Sequence, residues 1–201
     1  MQLLLPKSHL SWSALSLWKQ SKERFMRQYF ANGDSLDTKY LQFGKNIATS
    51  IEDGSYIGTL PHLTVYEIPE YKVEVSVNGV PLLSYIDSYD PVNHIFREYK
   101  TGKIPWTQSK VQKHGQLLFY AVALRALTGI MPTHCHLDWI ETRETPSDGI
   151  WDTNEKKVEL TGKILTFYRE FDTREVDNME EDIIRTAHEI SEAYKEFISN
   201  L

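Results

Sequence analysis

Apolar and polar residues alternate over 71–77, with Val73, Val75 and Val77 on one face, the period of a half-buried strand. Asn78-Gly79 follows at once and predicts a two-residue hairpin turn, so 80–89 reads as the return strand. Asp90-Pro91-Val92-Asn93 predicts a second turn, and 94–100 a third strand. Upstream the period is helical. Ser11-Trp12-Ser13 can cap a helix running to about residue 30, with Leu15, Trp18 and Phe25 as apolar anchors and Asn32-Gly33-Asp34 as its end. A second helix fits 40–52, closed by Asp53-Gly54. Downstream, 108–128 predicts a helix that is apolar nearly all round (Leu117, Leu118, Phe119, Val122, Leu124) and therefore packed on several sides. Two more strands are expected over 134–142 and 157–171, separated by a Pro/Ser/Asp/Gly loop at 146–149. The acidic stretch 178–197 carries Ile183, Ile184, Ala187 and Ile190 on one helical face. This order predicts an α/β fold with helices flanking a mixed central sheet.

Composition narrows the classes. The 201 residues are 41% hydrophobic and 25% charged, ordinary for one compact domain. The expected division is N-terminal helices over 1–56, sheet and core helix over 62–171, and a C-terminal helix over 173–201. Twenty-two Lys and Arg stand against 28 Asp and Glu, a net charge of −6, which excludes a globally basic nucleic-acid coat and leaves a local basic groove open. The single cysteine, Cys135, can neither close an internal disulfide nor supply a multi-cysteine metal site. No apolar run approaches the ~18–20 residues of a membrane span. Residues 1–6 lack the basic start and long apolar core of a secretory signal, so a cytoplasmic location is expected.

The chemistry concentrates at Asp87 and at Glu98-Tyr99-Lys100-Thr101-Gly102-Lys103. Alternation along a strand puts Glu98 and Lys100 on one face, with Arg97 and Tyr99 on the other. A turn centred near 92–93 makes cross-strand partner numbers sum to about 185, which sets Asp87 beside Glu98. Adjacent carboxylates repel unless a cation sits between them. A hard divalent ion such as Mg²⁺ answers that need, and a lysine beside it can orient water or stabilise charge building on a phosphate. The parts suit attack on a phosphodiester. The same spacing fits a surface hairpin with a Glu–Lys ion pair.

Asp87 followed by Glu98-x-Lys100-Thr101-Gly102 resembles the core motif of the PD-(D/E)XK nuclease superfamily, in particular RecB-type exonuclease domains and their stand-alone relatives. Those proteins continue into a helix bearing Gln-x-x-x-Tyr, and this chain has Gln116 and Tyr120 four residues apart, on one helical face. Ser11-Trp12-Ser13-Ala14-Leu15 with Phe25 and Tyr29 resembles the opening helix of the group, and 43–52 the next. Many relatives carry histidine where this chain has Ala48, and glutamate where it has Glu52. The resemblance covers roughly 8–125. It implies a restriction-endonuclease-like fold and a metal-dependent deoxyribonuclease acting on DNA ends or single strands. In that reading Asp87, Glu98 and the Tyr99 backbone carbonyl hold Mg²⁺ or Mn²⁺, with Glu52 completing the shell. Lys100 positions the water, and Gln116 and Tyr120 steady the site. Some relatives hold an iron–sulfur cluster on four cysteines; with Cys135 alone, none is expected here. A catalytically inactive nucleic-acid-binding or assembly module of the same fold is the alternative, favoured by Ala48. The resemblance leaves open whether a helicase or a recombination or replication partner presents the DNA, and whether the chain forms an oligomer.

Lys103, Lys110 and Lys113 gather near the motif, and Trp106 could stack on a base, so these four are candidate DNA contacts. Lys19, Lys22, Arg24 and Arg27 on the first helix fit a DNA track or a solvated charged face. His134 and His136 share a strand face without further ligands near them in sequence, which points to a structural role. His114 is expected about one turn from Gln116 and Tyr120 but off their face.

Overall fold

The structure, a computed structural model, describes residues 3–31, 33, 38–146 and 156–201. Five strands make one mixed sheet in the order β1-β2-β3-β4-β5, namely Ile68–Val77, Val80–Asp90, Ile95–Gly102, His134–Pro146 and Lys156–Glu170. The first three strands are antiparallel neighbours, β3 and β4 run parallel, and β4 and β5 are antiparallel. The expected α/β architecture with a mixed sheet is what forms. The β1–β2 turn is the one its sequence demands, with φ of 49° at Asn78 and 83° at Gly79. The next turn is closed by Asp90, whose carboxylate accepts the N–H groups of Val92 and Asn93 at 2.9 and 3.0 Å. β2 and β3 pair in the expected register (Ser88–Arg97, Tyr89–Phe96, Asp90–Ile95).

The helices are α1 (Trp12–Gln20), α2 (Lys22–Phe25), α3 (Lys39–Glu52), α4 (Gln108–Gln112), α5 (Gly115–Thr128) and α6 (Thr173–Ser199). Two expected helices are broken. The first stops at Ser21, which is extended (φ −162°, ψ 101°) and caps α2 through its hydroxyl; a π-helical turn over Met26–Phe30 follows. The break turns Phe25 against Trp18, 5.1 Å between ring centroids. The expected 108–128 helix is interrupted at Lys113 and His114. Just past the break the chain meets α1: a Cβ on Gly115 would stand 2.4 Å from the Trp12 ring, so glycine lets the start of α5 seat there. The terminator expected at 32–34 and the loop expected at 146–149 fall largely outside the described residues.

One face of the sheet carries the main core, with Leu15, Trp18, Phe119, Val122, Ile183 and Ile190 of α1, α5 and α6 buried against Val73, Ile86 and Phe96. Lys19 and Lys22 pair with Asp182 and Glu189, so part of the acidic α6 is neutralised within the fold. The other face is covered by α3 and the segment after it, where Ile51, Leu60 and Leu63 bury Ile140, with Tyr99 packed alongside. Here Arg97 and Asp138, from neighbouring parallel strands, form a buried ion pair at 2.7 Å. His134 and His136 stack edge to face 5.4 Å apart, and His136 meets the Tyr66 hydroxyl at 3.0 Å. Among the described residues no helix is long and apolar enough to cross a membrane.

Candidate active site

β2 and β3 pair over only three rungs near their turn. Past Ser88 and Arg97 the ladder ends, and the Asp87 carboxylate accepts the N–H of Tyr99 at 2.6 Å. A cavity of about 560 Å³ lies there, lined by Asp87, Glu98, Lys100 and Gln116 and walled by α3 through Gly44, Ala48 and Ile51. The structure therefore brings Asp87, Glu98 and Lys100 together, as their spacing implied, and adds Gln116, which only the family resemblance had pointed to.

Glu98 is 1% exposed. One of its carboxylate oxygens takes the Lys100 ammonium, and Oε2 is buried with no hydrogen-bond partner. Burial first, then the charge of Glu98, raises the Asp87 carboxyl well above its ordinary value; Lys100 and the Tyr99 N–H oppose this. Burial would discharge Lys100, but Glu98 and Asp87 outweigh it and its pKa is raised, so the ammonium persists. Glu98 and Asp87 both act on the Lys100 ammonium.

Lys100 is fixed from its other side. Its Nζ donates to Gln116 Oε1 at 2.9 Å, Gln116 Nε2 donates to the Tyr120 hydroxyl at 2.7 Å, and that hydroxyl donates to the Tyr85 carbonyl at 2.8 Å. Gln116 and Tyr120 thus share a helical face, as expected, and the chain of bonds ends on β2. His114 is not inside the helix but caps it, and from there its Nε2 donates to Gln116 Oε1 at 3.2 Å. His114, expected about one turn from Gln116 and Tyr120 and off their face, reaches Gln116 from the cap position. Burial, and next the Lys100 charge, push its imidazole down to about 4.

Other candidates sit differently. Glu52 is exposed at the end of α3 and is not part of the cavity wall. Trp106 is half-buried against the core, and the Lys110 ammonium already lies 4.0 Å from its ring centroid. Lys113 is exposed beside them. Lys103 is held 2.9 Å from Glu144, which also holds Lys39 at 3.3 Å and Lys156 at 3.5 Å. Lys39 and Lys103 each stand 5.3 Å from the ring of Tyr40, a residue of the cavity wall. Lys39 and Lys156 escape sequence reasoning because four segments, α3, the stretch after β3, β4 and β5, assemble this cluster.

Glu70 was also missed. It lines the cavity, half-buried, and burial followed by the charges of Glu52 and Glu98 raises its carboxyl. The signal was available: the 78–79 turn pairs residues whose numbers sum to 157, which sets position 70 opposite Asp87.

No protein-family model and no curated protein matches the chain. Solved structures do. A phage-related exonuclease from Haemophilus somnus 129PT superposes with a TM-score of 0.55 at 15% identity, over 94% of this chain and 82% of its own. A protein from Eubacterium rectale that is named only as a candidate exonuclease gives a TM-score of 0.52 at 11% identity, over 90% of this chain and 82% of its own. The chain has their fold. At such identity the likeness concerns the backbone, and the chemistry rests on the site.

Proposed function

We propose that the chain is a metal-dependent deoxyribonuclease of the PD-(D/E)XK superfamily, of the RecB type, hydrolysing phosphodiester bonds at DNA ends or in single strands. The observation that carries this reading is Glu98 Oε2, a buried anionic acceptor without a partner, beside the second carboxylate of Asp87. A buried acceptor left without a partner costs roughly 1–3 kcal/mol, which a bound cation offsets. The donor set fits Mg²⁺ or Mn²⁺: the carboxylates of Asp87 and Glu98 and the backbone carbonyl of Tyr99 are hard oxygen ligands. Such an ion supplies Lewis acidity toward a phosphate oxygen and lowers the pKa of water.

The protein's own groups do the rest. Lys100, held between Glu98 and Gln116, presents a fixed ammonium that orients the attacking water and offsets charge gathering on the phosphate. Gln116 and Tyr120 keep that ammonium in place. The lysines around Glu144 and Tyr40 offer cations for the phosphate backbone, and Lys110, Lys113 and Trp106 extend the track once Lys110 moves off the indole. The preference for ends rests on the resemblance to RecB-type exonuclease domains alone.

Incubation of the purified chain with linear and circular DNA, and with RNA in parallel, in Mg²⁺, Mn²⁺ or EDTA tests the proposal. Metal-dependent loss of linear DNA, abolished by Asp87→Ala, is expected. DNA binding without cleavage above that variant in either metal overturns it and leaves a binding module of the same fold, the reading that Ala48 favours.

A further inference from the structure

Glu70 stands in β1 directly opposite Asp87. The rungs on either side, Pro69–Ser88 and Tyr71–Ile86, keep one register, and the rung between them is not made. Its φ is 47°, the left-handed region, in the middle of a strand. Residues with a Cβ hold such a conformation only where their surroundings impose it. The Glu70 side chain lines the same cavity as Asp87, Glu98 and Lys100 and makes no hydrogen bond or ion pair with any described residue. Glu98 Oε2, buried and unpartnered, belongs to that cavity as well. Among the described residues no three His, Cys, Asp or Glu side chains form a group that could hold one ion directly. That suits Mg²⁺ and Mn²⁺ chemistry: Mg²⁺ keeps several waters and takes only one or two carboxylates directly.

We infer that Glu70, rather than Glu52, is the third carboxylate of the divalent-ion site, facing the ion across its water and directed there by the left-handed backbone. The inference rests on the metal-dependent reading above.

Calorimetric titration of the full chain with MnCl2, with thermal unfolding in EDTA alongside, tests it. Glu70→Gln and Glu70→Gly are expected to weaken Mn²⁺ binding about tenfold or more, the usual effect of removing a group that supports the ligands from behind. Glu52→Gln is expected to change it less than about twofold. Glu70→Gly relieves the backbone and should melt no lower than the parent in EDTA, so its loss of binding is not a loss of folding. Unchanged affinity in both Glu70 variants, or a loss in Glu52→Gln instead, overturns the assignment and leaves the nuclease reading standing. Failure of the parent chain to bind Mn²⁺ at all defeats the nuclease reading itself.

Discussion

The Asp87 carboxylate accepts the backbone N–H of Tyr99 at 2.6 Å, one residue beyond the last rung that joins β2 to β3. Asp87 thus serves two purposes: it satisfies a strand N–H and places negative charge beside Glu98. The two can be separated. Asp87→Asn keeps an acceptor for the N–H and removes the charge. Because burial and Glu98 raise the folded-state pKa of Asp87, the proton is bound more tightly in the folded chain than in the unfolded one. The stability this contributes is complete below the ordinary value of 3.8 and is lost as pH rises through the folded value. In EDTA the parent should therefore lose stability relative to Asp87→Asn as pH rises above 3.8, and Mn²⁺ should restore it. Parallel melting curves across that range would refute the account.

Lys100 and Gln116 form the next link. Lys100→Met removes the ammonium held between Glu98 and Gln116 and should lower kcat about 10²–10³-fold. Gln116→Leu leaves the ammonium tethered by Glu98 alone and should lower kcat about tenfold with little change in KM, as for a positioning residue. Tyr120→Phe keeps the ring and the Gln116 side chain, so its effect should be smaller. Steady-state kinetics on end-labelled DNA separate the three.

His114 supplies a signature of the opposite sign. Its imidazole titrates at about 4 in the fold against an ordinary 6.5, so between these values the unfolded chain binds the extra proton. Stability should fall as pH drops from about 6.5 toward about 4, by about 2 kcal/mol after allowance for partial exposure. Urea unfolding of parent and His114→Gln at both ends of the window measures this as a difference between the chains. An equal change in both would exclude His114 as its source.

Gly115 and Trp12 set how α5 enters the site. Gly115→Ala brings a methyl within 2.4 Å of the indole and should cost about 1–3 kcal/mol. In a Trp12→Ala background that steric cost should vanish, since the clashing atoms belong to the indole ring. Additive losses in the double variant would show that something other than this contact forbids alanine.

On the far face of the sheet, Arg97→Met would strand Asp138, 1% exposed, with the Thr166 hydroxyl as its one remaining side-chain partner among the described residues. A loss of about 3–5 kcal/mol is expected, with much of it recovered by adding Asp138→Leu. Chemical denaturation of the two single variants and the double closes that cycle.

What the sequence determined by itself is local. Asn78-Gly79 and Asp90-Pro91-Val92-Asn93 form turns because their own backbone preferences and side-chain bonds require them, and each turn sets the register of its hairpin. The adjacency of Asp87 and Glu98 follows from that register. So does Glu70 opposite Asp87, although regular alternation marks the strand only from residue 71. The shared face of Gln116 and Tyr120 follows in the same way from helical geometry. Tertiary structure decided whatever depends on chains meeting from far apart: the break before α5 where Trp12 meets Gly115, the Arg97–Asp138 pair across parallel strands, and the gathering of Lys39, Lys103 and Lys156 at Glu144. Turn and helix preferences act over a few residues. Packing and charge act through space, and no sequence period records which distant side chain will arrive.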